Sequence, residues 1–233
     1  MTISRAHELA PVAIPSYLQE TYWWAYVHPG AIRVFERQWL VNLILCGNFN
    51  RLRDAALDEL GERIRGNTLQ IACVYGDLTT RLARRIAPGG HLDVVDVLPL
   101  QLGNLRAKLD EGVPVTLLHR DATDLRLRDS SYEQVLLFFL LHEQPEEVRR
   151  ATLGEAVRVL KPGGKLVIVD YHRPHPLNAV SHLHRPLLHV LEPYARDLLR
   201  NEIAIWLPPL PISAHISKRC YFGGMYQKLV VTV

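Results

Sequence analysis

Cysteine, net charge and long apolar runs are all scarce in this sequence, and each scarcity excludes something. Its 233 residues contain three cysteines, at positions 46, 73 and 220. That spacing matches no metal-ligand pattern, and an odd count of thiols suits a reducing compartment. No apolar stretch approaches the 18 residues of a bilayer-spanning helix, which leaves contact at a membrane surface open. The N-terminus has no basic stretch followed by an apolar one, so secretion is not expected. The formal charge of +3 is slight and scattered, so no nucleic-acid partner is expected. Repeats and low-complexity tracts are missing as well. A chain of this length and ordinary apolar content can form one large domain with a sizeable core.

Glycine is missing where it matters most. Thr68–Val97, TLQIACVYGDLTTRLARRIAPGGHLDVVDV, reads as a buried strand (Thr68–Cys73), a tight loop (Val74–Gly76), a helix opening at Asp77, a Pro-Gly-Gly turn and a second strand ending at Asp96. A strand, a loop at a helix N-terminus and an acid about 20 residues on form the signature of a nucleotide-type ligand at the carboxyl ends of parallel strands. The helix start offers unpaired N–H groups, and the acid accepts from ribose hydroxyls. Yet Ala72 and Val74 stand where Gly-x-Gly is expected, and only Gly76 survives. A β-branched residue resists the positive φ that glycine takes easily, so the loop is expected to follow another path. Its side chains Val74, Tyr75, Asp77 and Thr79 are then expected to enter the pocket.

Elsewhere strands alternate with helices. Helices are expected at Arg53–Arg65, Pro99–Asp110 and Pro145–Leu160, and strands at Val113–His119, Glu133–Phe139 and Lys165–Tyr171, which together indicate a parallel α/β sheet. Ser217–Phe222 and Met225–Val233 read as a closing β-hairpin. Two segments break the rhythm. Residues 1–55 form an aromatic-rich helical element, with Tyr17, Tyr22, Trp23, Trp24, Tyr26, Phe35 and Trp39 crowded together, helices up to Val27 and over Ala31–Leu45, and His28-Pro29-Gly30 between them. These rings either pack on the main sheet or form a lid over an apolar, ring-shaped substrate, and the two roles are compatible. Residues 56–233 form the main domain, with an insertion at 172–211. There Val180, Leu183, Leu187, Leu191, Tyr194 and Leu198 recur at helical spacing, followed by the apolar, proline-broken Ala204–Pro211. The insertion either covers the core or dips into lipid headgroups.

The order of these motifs resembles a class I S-adenosylmethionine-dependent methyltransferase over about residues 60–171 and the closing hairpin. TLQIACVYG stands at that family's first motif, HLDVVDV at the second, HRDATDL at the third, SYEQVLLFFLLHEQP at the fourth, and EAVRVLKPGGKLVIVDY after it. YFGGMYQKLVVTV resembles the end of quinone-pathway C-methyltransferases. The resemblance implies a Rossmann-like α/β fold, with a seven-stranded, mostly parallel sheet and an antiparallel C-terminal hairpin. It also implies S-adenosylmethionine as cofactor, held by Ala72, Cys73, Val74, Tyr75 and Gly76 at the methionine part, Asp96 and Val97 at the ribose, Asp121 and Ala122 at the adenine, and the segment Leu137–Phe139, with Phe138 at its centre, beside the sulfonium. Gln70 departs from the acid usual within the first strand.

VYGDLT, the aromatic YWWAYVHPGAIRVFERQWLVN and the late insertion together resemble a narrower family, the rhodoquinone biosynthesis proteins called RquA. That resemblance implies conversion of ubiquinone to rhodoquinone, replacing a ring methoxy by an amino group, with S-adenosylmethionine as amino donor and manganese. It also implies a cytoplasmic protein peripherally associated with the inner membrane; nothing indicates an oligomeric state. A conventional quinone or phenol methyltransferase and a non-catalytic quinone-pathway binding protein are the alternatives. Tyr75, Asp77 and His142 are the catalytic candidates. Tyr75 either orients the donor or fills volume; Asp77 either caps a helix or holds the donor's ammonium. Asp77, Asp121, His142 and Glu143 carry the donor types a hard divalent ion prefers, without diagnostic spacing. For Asp121 an adenine contact competes with a ligand role; for His142, a backbone-bonded loop. Histidines 172, 175, 182, 184 and 189 read as solvated or headgroup-facing on an exposed segment.

Overall fold

A β-sheet of seven strands, in the order β3-β2-β1-β4-β5-β7-β6, organises the computed structural model. The structure describes residues 12–22, 37–73, 75–178 and 192–233. Trp23, Trp24, Tyr26, the His28-Pro29-Gly30 break, Phe35, Val74, Val180, Leu183, Leu187, Leu191 and histidines 182, 184 and 189 lie outside these residues.

The sheet is parallel across β1 (Asn67–Ile71), β2 (His91–Asp96), β3 (Val115–His119), β4 (Tyr132–Phe138) and β5 (Leu160–Tyr171). Strand β7 (Tyr226–Thr232) runs antiparallel between β5 and the edge strand β6 (His215–Tyr221). The hairpin expected from the sequence is thus present, with its second strand inside the sheet. Central strands are rich in apolar residues because helices cover both faces: Leu69, Ile71, Val135, Leu136, Leu137, Val167, Ile168 and Val169 are fully buried.

Short helices α1 (Ser16–Thr21) and α2 (Gln38–Ile44) precede α3 (Phe49–Leu60). Phe49, Leu52, Ala56, Leu57 and Leu60 recur every three or four residues, and all are buried. The helix expected at Arg53–Arg65 therefore starts four residues earlier. It stops at Leu60 because Gly61 takes φ 104°, which ends the helical path. Helices α4 (Leu78–Arg85), α5 (Pro99–Lys108) and α6 (Glu146–Arg158) make the crossovers. Pro99 begins α5, where its missing N–H is harmless. Chain order reverses between β1 and β4, so a crevice opens at their carboxyl ends, where open α/β sheets hold ligands.

The insertion differs from both sequence expectations in part. Its described helix is α7 (Ala195–Leu198). Ile203 and Trp206 are buried, and the Trp206 ring lies 4.2 Å from the Arg149 guanidinium. Trp206 therefore covers the core and is not available to lipid. His172, expected on an exposed face, is buried, with Nδ1 2.9 Å from the carbonyl of Gly224.

Candidate active site

At the β1–β4 crevice lies a cavity of about 360 Å³. Ala72, Cys73, Tyr75, Asp96, Val97, Asp121, Ala122 and Phe138 all line it. They come from the ends of four different strands, so only the sheet brings them together.

Asp96 ends β2 with its carboxylate buried. Oδ2 accepts from the Cys73 N–H at 2.7 Å and Oδ1 from the Leu98 N–H at 2.8 Å. Burial pushes its pKa up to about 6, against the opposing pull of those N–H groups and of His119. Each oxygen has a second lone pair, so acceptor capacity remains for hydroxyls of a ligand.

The glycine-poor loop keeps part of a glycine's geometry. Ala72 takes φ 72°, in the left-handed region where an L side chain is strained. Gln70, fully buried, donates from Nε2 to the Ala72 carbonyl at 3.0 Å. An acid at position 70 could not donate to that carbonyl, which accounts for the amide. Gln70→Glu should lower stability by about 2–4 kcal/mol, read from a urea denaturation midpoint, because it sets a buried carboxyl against a carbonyl oxygen. The Tyr75 hydroxyl accepts from the buried Gln101 Nε2 at 2.8 Å, and Lys108 Nζ donates to the Gly76 carbonyl at 3.0 Å. A Cβ on Gly76 would stand 2.9 Å from the Phe49 ring, so glycine is required there for close approach as well as for φ 89°.

Of the four loop side chains expected in the pocket, Tyr75 lines it, while Asp77 and Thr79 do not. Asp77 is claimed from outside the cavity. Arg53 donates to its two oxygens at 2.7 and 3.0 Å, and Arg81 at 2.5 Å. Burial would raise the Asp77 pKa, but these guanidinium bonds outweigh it and hold it below the usual carboxylate range. Asp77 occupies the N-cap position of α4 without a side-chain cap bond. Asp77 is thus held away from the cavity lining in an ion pair that ties α3 to α4.

The metal assignment is corrected. Asp121 Oδ1 is engaged by Thr123 through its N–H and its hydroxyl, both at 2.7 Å. His142 and Glu143 approach each other at 3.8 Å, but among the described residues no three His, Cys, Asp or Glu gather as metal ligands. The four residues do not form the manganese site that the resemblance implies.

His142 is no backbone-bonded loop residue. It sits in a 3₁₀ turn (Leu141–Glu143) after β4, buried, with Nδ1 3.0 Å from Asp170 Oδ1. Asp170 in turn accepts from the N–H groups of Leu141, His142 and Tyr171. His142 Nε2 lies 3.8 Å from both Glu143 and Glu192. Burial draws the imidazole pKa down, but the carboxylates of Asp170, Glu192 and Glu143 prevail and push it up to about 9. The ring is therefore an imidazolium at neutral pH. Phe139 and Tyr171 pack edge-on against it, and Phe139 takes φ 53°, a strained conformation for so bulky a residue.

Asp170, Glu192 and Tyr171 are site residues that sequence reasoning missed, whereas Phe139 and Tyr17 stand in the fourth-motif and lid segments read from the sequence. Asp170 left one signal, a lone acid in the apolar strand LVIVDY. Glu192 reaches the cavity from a segment remote in sequence, and nothing local marks it.

The match to known proteins now has geometry to rest on. A methyltransferase-domain family model matches residues 68–164. A demethylmenaquinone methyltransferase of Staphylococcus aureus is 30% identical over 135 residues, 58% of this chain and 55% of that protein. The chain thus spans about half the length of such relatives. An O-methyltransferase family protein of Burkholderia thailandensis aligns with a TM-score of 0.59 at 19% identity, over 87% of this chain and 59% of that one. A SAM-dependent methyltransferase of Aquifex aeolicus aligns at 0.55 and 16% identity, over 88% and 98%. The fold is that of the class I methyltransferases. The same fold also serves the cyclase SpnF, at TM-score 0.52 and 16% identity over 78% of this chain and 79% of that one, so architecture alone does not dictate methyl transfer.

Proposed function

We propose that this chain is an S-adenosylmethionine-dependent transferase that modifies a quinone-type ring, and that the group it moves is the donor's methyl. One observation carries the reading: Asp96, Asp121, Ala122, Ala72, Cys73 and Tyr75 share a single cavity with an aromatic wall of Phe138, Phe139 and Tyr171. Similarity to a demethylmenaquinone methyltransferase supports the quinone class. When bound, the donor would supply an electrophilic methyl group. Asp96 would accept from the ribose hydroxyls, Asp121 and Ala122 would flank the adenine, and Ala72, Cys73 and Tyr75 would face the methionine part. His142, held by Asp170, would orient an oxygen of the reduced, quinol-type ring through Nε2, and the carboxylates of Glu143 and Glu192, each 3.8 Å from Nε2, would take up the proton that the ring gives up as it gains the methyl. The aromatic wall would exclude water from the transfer.

A second reading is amination, the conversion of ubiquinone to rhodoquinone with S-adenosylmethionine giving nitrogen. The loop favours it: a strained Ala72 held through Gln70 and a Tyr75 fixed by Gln101 put side chains where glycine backbone would leave room for the methionine part. Either reaction suits a protein peripheral to the cytoplasmic face of the inner membrane, where such substrates reside.

Donor labelled separately at the methyl carbon and at the amino nitrogen, supplied in parallel with ubiquinone, its quinol and demethylmenaquinol, whose ring has a free position, separates the readings. Methyl label in a product supports the first and nitrogen label the second. Tight donor binding without turnover on any of these rings would discard both in favour of a binding protein.

A further inference from the structure

Helix α2 carries apolar side chains on two sides. Val41 and Ile44, with Leu45 just beyond the helix, line the cavity. Trp39 and Leu43, one helical turn apart, point to solvent with 61% and 65% of their surface exposed, and Ile44 joins the two sets at 38%. Large apolar residues exposed together at a pocket mouth are unusual on a protein surface that meets only water. From Arg37 to Arg53 the chain holds three arginines and no acid. Arg53 is consumed by Asp54 and Asp77, whereas Arg37 and Arg51 are exposed.

We infer that the exposed face of α2 seats on an anionic lipid surface, with Trp39 and Leu43 entering the headgroup region and Arg37 and Arg51 meeting lipid phosphates. The inference deepens the peripheral-membrane part of the proposed function by naming its surface. Continuity selects lipid over a protein partner: Ile44 belongs both to the exposed apolar face of α2 and to the cavity lining, so the face that would meet the bilayer adjoins the site that would take an apolar substrate. Charge selects the anionic kind, since each exposed cation near such a surface adds to the attraction. The apolar 204–211 segment is a poorer anchor because Trp206 is buried.

Flotation of the full chain with vesicles of phosphatidylcholine alone, and with phosphatidylglycerol added, tests this. The full chain should float with both and better with the anionic ones. Trp39→Ser combined with Leu43→Ser should lower partition at least about tenfold on both. Arg51→Gln should lower it only on anionic vesicles. Neither variant touches the cavity lining, so unchanged S-adenosylhomocysteine binding reports an intact fold. Wild-type flotation that the double serine variant leaves intact overturns the α2 assignment alone. Failure of the wild-type chain to float overturns the peripheral reading together with it. A wild-type dimer that the double variant renders monomeric, without flotation, would assign the face to a second copy and also overturn the inference.

Discussion

Arg149→Met should lower stability by about 3–5 kcal/mol, because removing a buried cation strands every group that it serves. The Arg149 side chain is fully buried. Nε donates to the Leu141 carbonyl at 3.0 Å, and Nη2 donates to the carbonyls of Gln144 and Tyr194 at 2.9 and 3.2 Å. Nη1 lies 3.6 Å from Asp197, and Trp206 covers the guanidinium. Methionine matches the stem but takes the Arg149 donors from the Gln144 carbonyl and leaves those of Leu141 and Tyr194 with one long backbone N–H each, at 3.3 and 3.4 Å. Lysine keeps the charge, yet one ammonium cannot span carbonyls on both sides of the turn, so Arg149→Lys should lose more than half of the same stability. Burial lowers the Arg149 pKa, which adds to the strain on a lysine in its place. A urea denaturation midpoint reads both effects. Because Arg149 pins the turn that bears His142 to the insertion that bears Glu192, turnover should fall further than cofactor binding at a temperature where the variant remains folded. Equal losses in both would reduce Arg149 to a purely structural role.

Asp96→Asn should weaken S-adenosylhomocysteine binding about 100-fold, as one charge-assisted acceptor becomes an N–H donor facing a backbone N–H. The wild-type pH dependence follows from the carboxyl titrating near pH 6. Above pH 7 it is a full acceptor. Below pH 6 affinity should fall about tenfold per unit, since protonation removes the acceptor that a ribose hydroxyl needs. The stability effect has the opposite sign in the free protein. A folded-state value raised above the ordinary carboxylate value means that the folded protein binds the extra proton between about pH 4 and 6. Stability from this group is therefore greatest below that window and declines as pH rises through it. Cofactor binding should reverse the trend and release protons near pH 6, measurable as a buffer-dependent binding enthalpy. In Asp96→Asn both the pH step and the proton release should vanish.

The protonated state of His142 has its own window. Its imidazolium interactions with Asp170, Glu192 and Glu143 are fully present below the ordinary histidine value and are lost as pH rises through about 9. That range lies well above the Asp96 transition, so the two groups can be told apart in a single titration.

How much was legible without coordinates varies with the range of the interaction. The strand–loop–helix unit ending at Asp96, the helix opening at Pro99 and the closing hairpin are written in local signals: apolar runs, a proline at a helix start, glycines at turns. So is the position of Asp96 on the cavity wall, since an acid at the carboxyl end of a strand after such a loop needs no distant partner to be placed. The ion pair of Asp77 could not be read, because its partner Arg53 lies 24 residues earlier and only the packing of α3 on α4 brings the two together. His142 was underread because its partner Asp170 lies on the next strand, where parallel pairing sets Phe138 against Val169 and carries the following turn over the acid. Spacing along the chain determined the sheet, its order of motifs and the edge where a ligand sits. Which carboxylates carry charge, which arginines hold the turn and which face of α2 is bare were decided by tertiary packing alone, because pairing and burial are properties of neighbours that the sequence keeps far apart.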